Sequence, residues 1–262
     1  MTILLNAHHH GAPRDNRMPG ALPHLRALFP QAIEIPAPLA PDQLLYDGVR
    51  NLPAIRAHAQ AMAERFAVPD PPIYNLGGDC GGELAVIAAL NRHYEGRLRV
   101  LWFDAHADLN TPASSPSGNF HGMVLRTLTG EGPAALADLV PVPLLPGHIA
   151  LCGLRDADPA EYEFIARHGI PILRDFDTLD PNQDPNQPLY VHVDYDVLDG
   201  AIYPDSVYPT AGGLRLDELI AALQRLRGRH QVRGMSLTEY APCSDDTAPV
   251  RRLLIEGFGL CA

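Results

Sequence analysis

No CxxC pair and no framework spacing links the four cysteines, Cys80, Cys152, Cys243 and Cys261. That excludes a disulfide-stapled scaffold and fits a reducing, cytoplasmic setting. No signal peptide or membrane-spanning run is visible either. The N-terminal apolar stretch, Ile3 to Leu5, is far too short to serve as one, so no membrane partner is expected. Positive charge is scarce: 20 Lys and Arg against 31 Asp and Glu leave a net charge of −11. This argues against nucleic acid or an anionic surface as a partner and is compatible with a small cationic substrate. Internal repeats and low-complexity linkers are also missing. The His8-His9-His10 run is internal to a strand-turn pattern, and we read it as a native loop near the site.

A hydrophobic content of 46% and a charged content of 19% are globular values. The length suits one large domain over residues 1–262. Strand-like and helix-like stretches alternate. Helical spacing is read over Leu52 to Phe66, Glu83 to Tyr94 (an inward stripe of Leu84, Val86, Ile87 and Leu90), Leu214 to Arg227 and Ala248 to Phe258. Asp158-Pro-Ala-Glu161 opens another helix with an N-cap, a proline at the first helical position and a capping-box glutamate. This alternation predicts an α/β fold, three αβα layers around a mostly parallel sheet.

The chemistry lies where four strand-like runs end. Leu98 to Phe103 leads into Asp104-Ala-His106-Ala-Asp108, with two carboxylates and an imidazole at every second position. Tyr190-Val-His-Val-Asp194-Tyr-Asp196 repeats the pattern, and period-two alternation predicts Asp194 and Asp196 on one face of the strand terminus. Ile73 to Leu76 ends in Gly77-Gly78-Asp79-Cys80, and Val232 to Leu237 in Thr238-Glu239-Tyr240. An open parallel sheet presents such groups at its ligand edge. Like-directed ligands at a buried strand end carry a desolvation cost that a divalent cation removes.

These four separated motifs, in this order, resemble those of the ureohydrolases, the arginase/agmatinase family of binuclear manganese enzymes. The resemblance runs from Gly77 to the last helix. It implies two Mn²⁺ ions bridged by Asp104 and Asp194, one completed by Cys80 and Asp108, the other by His106 and Asp196. It also implies His121, Glu239 and Asp196 as the catalytic group, with His121 shuttling a proton and Glu239 holding the guanidino group. Asn110 and Ser117 match the arginase segment that holds the substrate α-carboxylate, and Asp158 and Glu161 the loop that holds its α-amino group. Asp158 and Glu161 also remain good capping residues. The other histidines receive no role, His192 being the strongest candidate for a supporting group behind the ligands.

Departures from the family pattern matter here. Cys80 stands where a histidine ligand is usual, Gly81 where a serine is, and Gly200 where a proline is. Tyr208 sits near a position usually held by a small hydroxyl residue. The family's tail beyond the last helix, which helps subunits associate, has no counterpart, so the oligomeric state stays open. Cysteine at position 80 is similar to the Nω-hydroxy-L-arginine hydrolases of the family, the type found in D-cycloserine biosynthesis, which form L-ornithine and hydroxyurea. Three readings of Cys80 stay open: a thiolate ligand, a protonated thiol that leaves one metal short, or a small buried apolar residue. Arginase, another guanidino-acid hydrolase and a metal-poor, non-catalytic homologue stand as alternatives.

Overall fold

The apolar runs become strands and the 3.6-period stretches become helices. In chain order they are β1 (Thr2–Asn6), α1 (Ala21–Leu28), β2 (Ile33–Ile35), β3 (Leu45–Tyr46), β4 (Val49–Arg50), α2 (Leu52–Arg65), β5 (Ile73–Leu76), α3 (Leu84–His93) and β6 (Arg99–Phe103). Then follow α4 (Val124–Leu128), α5 (Ala134–Ala137), β7 (Ile149–Cys152), α6 (Pro159–His168), β8 (Ile172–Leu173), β9 (Pro188–Asp194), α7 (Leu216–Arg229), β10 (Gln231–Thr238) and α8 (Ala248–Arg252). This computed structural model describes residues 1–12, 15, 17–38, 43–174, 176, 184 and 186–261.

Eight strands form one sheet in the order β2-β1-β5-β10-β9-β6-β7-β8. Every pairing in it is parallel. The strands β3 and β4 form a separate antiparallel ribbon. The four motif-bearing strands, β5, β10, β9 and β6, are therefore neighbours at the centre of the sheet. Parallel strands all finish on the same edge, so the four motifs meet there.

Side-chain alternation splits the core in two. Val100 and Trp102 of β6 face α2 through α6, together with Tyr190 of β9. Leu101 and Phe103, with Leu189, Val191 and Val193, face α1, α7 and α8. This is the expected three-layer α/β architecture. Among the described residues no helix is long and apolar enough to cross a membrane.

Two local expectations are corrected. Helix α3 is buried on all sides from Leu84 to Asn91, not along one stripe, because it packs against both α2 and α4 besides the sheet. The last helix stops as an α-helix at Arg252 and widens into a π-turn over Leu253–Gly257, whose Leu253 and Leu254 are buried against the α7 side of the core.

Beneath the β1 end, α2 buries His58. Its Nε2–H donates to Asn6 Oδ1 at 3.1 Å, and its ring centroid lies 4.4 Å from that of His8. Burial brings its pKa down from 6.5 to about 3. The neutral ring is the folded form, so below pH 6.5 the unfolded chain takes up a proton that the folded chain refuses. Stability is complete above pH 6.5 and falls as pH drops toward 3. Between pH 7 and 5 this group should lower the unfolding free energy by about 2 kcal/mol. In denaturant titrations His58→Gln, which keeps a donor for Asn6, should flatten the slope by that amount; an unchanged slope would show that the ring does not resist protonation.

Candidate metal centre

Three of the four strand termini use the same turn. Asp79 Oδ1 accepts from Gly81 N at 2.8 Å, Asp104 Oδ1 from His106 N at 2.7 Å, and Asp194 Oδ1 from Asp196 N at 2.7 Å. An aspartate that bonds the amide two residues on fixes its own rotamer and turns the chain sharply at the sheet edge. One oxygen of each carboxylate is thereby anchored. Asp79 is consumed entirely: Oδ2 takes Gly11 N and Ala12 N, and Oδ1 also meets His8 Nδ1 at 3.1 Å. Its pKa is held down, against its burial, by the His8 contact. It fixes the turn carrying Cys80.

Two groups of candidate ligand atoms result, each with all its atoms within 4.8 Å of one another. Cys80, Asp104, His192 and Asp194 form one, all buried; Asp104, His106 and Asp196 form the other. Asp104 belongs to both. Its Oδ2 accepts from Trp102 Nε1 at 3.0 Å. His106 Nδ1 lies 3.0 Å from Asp196 Oδ2 and 3.4 Å from Asp104 Oδ1, and its side chain is 29% exposed. Asp196 differs from expectation: β9 ends at Asp194, and Asp196 sits on the following 3₁₀ turn, Tyr195–Val197. The turn, not strand alternation, aims it at His106.

Asp108 joins neither group. It adopts a left-handed backbone, φ 53°, and its Oδ2 is buried without a hydrogen-bond partner. Burial and the nearby Asp104 push its carboxyl well above the usual range. Asp194 is raised by burial, Asp196 and Asp104, and Asp196 by burial and Asp104. The Cys80 thiol is raised by burial and by Asp194, Asp108, Glu239 and Asp104, and it donates to Asp194 Oδ2 at 3.1 Å. Asp104, unlike these, is lowered, because bonding to His106 outweighs its burial. Among the described residues no arginine pairs with these carboxylates. An orphaned carboxylate oxygen, clustered acids and a largely oxygen and nitrogen donor set suit divalent cations of the manganese class. The sulfur of Cys80 is the one soft donor.

Beside the groups lies a cleft of about 300 Å³ lined by His106, Asp108, Asn110, Ser117, His121 and Asp158, with Glu161 and Tyr208 at its wall. Glu239 and His121 stand together, His121 Nδ1 at 3.2 Å from Glu239 Oε1. Burial disfavours the charged form of His121, but Glu239 outweighs it and raises its pKa. Glu239 is itself raised by burial, and its Oε2 is buried without a partner. Asn110 Nδ2 donates to Asp158 Oδ2 at 2.8 Å. Glu161 uses both oxygens on main-chain amides, those of Leu109 and Asp158, each at 2.8 Å. Ser117 is exposed at the rim.

The arginase family model matches residues 33–255. The chain belongs to the arginase family. It is 37% identical to an arginase of Staphylococcus aureus (strain COL) over 183 residues, 65% of this chain and 60% of that protein, so it spans about three-fifths of that relative's length. It is 30% identical to the arginase of Bacillus caldovelox over 225 residues, 78% of this chain and 75% of that one. The solved structure of the B. caldovelox arginase superposes with a TM-score of 0.83 at 26% identity, covering 98% of this chain and 96% of the other. An Entamoeba histolytica arginase in complex with L-ornithine shares the fold, with a TM-score of 0.84 at 23% identity, covering 99% and 98%.

Two departures from the family's arginase motifs have a local cause. A Cβ on Gly81 would lie 2.8 Å from both Asp79 Oδ1 and Phe120 Cδ1. A Cβ on Gly200 would lie 2.5 Å from the Pro209 carbonyl carbon, and Gly200 N donates to Thr210 O at 2.9 Å. This close approach of 200 to 209–210 places Tyr208, 42% exposed, stacked on His121 with centroids 5.7 Å apart. The same segment is held by Arg155, which the sequence reading passed over. Its guanidinium donates to the carbonyls of Gly153, Asp196, Val197, Leu198, Thr210 and Ala211. Gly200→Pro should cost more than about 1 kcal/mol here, through the lost N–H donor and the clash. Chemical denaturation measures it, and a loss under about 1 kcal/mol, an ordinary surface effect, would show that the lip moves aside freely.

Proposed function

We propose that the 262 residues form one catalytic domain, a binuclear manganese amidinohydrolase that cleaves the guanidino group of an arginine-like amino acid. The favoured substrate is Nω-hydroxy-L-arginine, giving L-ornithine and hydroxyurea. The observation that carries this reading is the pair of ligand groups sharing Asp104 beside a cleft, sized for an amino acid, that His106 lines. Cys80, Asp104, His106, Asp108, Asp194 and Asp196 would hold two Mn²⁺ ions, Asp104 standing in both ligand groups. When bound, the metal pair acidifies a water and makes hydroxide available near neutral pH.

The protein's own groups supply the rest. The unpartnered Oε2 of Glu239 accepts a guanidino N–H, a charge-assisted bond that orients the planar group. His121, whose Nδ1 is taken by Glu239, keeps Nε2 for the proton that must reach the ornithine δ-nitrogen as the bond from the guanidino carbon breaks. Asn110 and Ser117 would receive the α-carboxylate and Asp158 the α-amino group. Glu161 serves from behind, by fixing the Leu109 and Asp158 amides. The L-ornithine held by the E. histolytica arginase is the amino-acid product expected here.

The choice of hydroxyarginine rests on Cys80. An anionic sulfur ligand makes the metal pair a weaker Lewis acid than a neutral imidazole does, and that weighs most on the less activated arginine. Arginase activity is the second reading, favoured by the named relatives. Ornithine release from the two substrates at equal concentration, with urea and hydroxyurea separated, decides between them. Cys80→His should lower the preference for hydroxyarginine about tenfold, equivalent to 1.4 kcal/mol of transition-state stabilisation. An unchanged ratio with unchanged metal content makes plain arginase the better description. Agmatine, lacking the carboxylate, should fall below arginine by on the order of a hundredfold or more in kcat/KM; efficient agmatine turnover would remove Asn110 and Ser117 from the site.

A further inference from the structure

We propose that His192 is a ligand of the cation on the Cys80 side, its Nε2 supplying the imidazole that position 80 lacks. The proposal rests on the metal-centre reading above. It starts from register. Trp102 of β6 pairs with His192 of β9, His192 with Ser236 of β10, and Ser236 with Asn75 of β5. These side chains form one lateral row across the four central strands, just behind the ligand edge. His192 and Asp194 are two residues apart on one strand and so share a face.

The ring is fixed on every side. It stacks on the Trp102 indole with centroids 3.5 Å apart and planes 10° from parallel. Nδ1 lies 3.2 Å from Ser236 Oγ and 3.8 Å from Glu83 Oε2. Glu83 is committed elsewhere, accepting from Tyr190 OH and Asn75 Nδ2, both at 2.5 Å. With the proton on Nδ1, toward Ser236 Oγ and the Glu83 carboxylate, the Nε2 lone pair is free, as in a histidine ligand oriented by groups behind it. That lone pair lies 3.7 Å from Cys80 Sγ and 3.9 Å from Asp104 Oδ2. Nitrogen and sulfur donors at the zinc distances of about 2.0 and 2.3 Å stand about 3.5 Å apart when tetrahedral, so the two donors here are spaced as one divalent cation spaces them. The four atoms of Cys80, Asp104, His192 and Asp194 thus form a set ready for one cation, and Asp108 is not among them.

The consequence is a site with one sulfur, one nitrogen and carboxylate oxygens next to a site with nitrogen and oxygens alone. Imidazole outer-shell scattering in the X-ray absorption spectrum of the manganese-loaded wild-type protein tests this without any substitution. Two imidazoles over the metal pair, His106 and His192, support the proposal; one imidazole overturns it and leaves His192 as a residue that positions the Cys80 sulfur. In parallel, His192→Phe keeps a ring on Trp102 and removes both nitrogens. After manganese loading and desalting it should retain about half the metal of the wild type by elemental analysis, with the metal-free melting temperature showing that it folds. A folded His192→Phe that holds its full metal content overturns the proposal, and if that variant does not fold the absorption spectrum decides alone. Wild-type protein that retains no manganese would bring down the metal-centre reading as a whole, which separates that failure from this one.

Discussion

Acid groups crowded into a dry strand edge are the constraint to which the rest of the structure answers. Asp104, Asp108, Asp194, Asp196 and Glu239 are each no more than 4% exposed, and no arginine reaches their carboxylates among the described residues. Ionised together without a cation, such groups repel strongly at low effective dielectric. The chain answers locally with main-chain N–H groups: the repeated aspartate turn anchors one oxygen of Asp79, Asp104 and Asp194, and the second oxygen of Asp79 is taken by two further amides. Holding those turns in place requires the fully buried centre of a parallel sheet, with helices on both faces. The two-sided core follows from that need.

The motifs were legible because each follows an apolar run, and a run that stops in Asp-x-His-x-Asp or Gly-Gly-Asp-Cys announces a strand end. The layers were legible from the alternation of strand and helix periods. Strand order was not, since β5, β10, β9 and β6 become neighbours through contacts between residues up to about 160 positions apart, which no local pattern records. Asp196 was legible as a ligand candidate but not in its placement, because the period-two rule ends where the strand does. His192 was half legible: it shares a face with Asp194, yet a histidine inside an apolar strand looks like core until the register sets it beside Trp102 and Ser236. Arg155 gave no signal, since its partners are carbonyl oxygens and these leave no mark on a sequence.

The substitutions that set this chain apart from the family pattern are not independent. Gly81 lets Phe120 close over the turn that carries Cys80, and Phe120 precedes His121. Gly200 lets residues 209–210 fold inward, which carries Tyr208 onto the His121 ring. Tyr208 stacks on the His121 ring, and the Cys80 amide shares Glu239 Oε1 with that ring's Nδ1. Position 80 on the ligand side and the rim of the cleft at 208 thus differ together with the glycines that make room for their surroundings, while the aspartate turns at Asp104 and Asp194 stand unchanged behind them.

Arg155 shows how such remodelling is tolerated. One cation gathers the carbonyls of 196–198, on the ligand-bearing turn, and of 210–211, on the far side of the lip. Every bond it makes there ends on main chain, so the side chains between those points are not what hold the lip in place. The lip is thus a frame with interchangeable contents: residues such as Tyr208 can be exchanged through evolution, or by design, while Asp196 keeps its position. The contents of the lip and the position of Asp196 are thus set separately, by a residue whose bonds there all end on main chain.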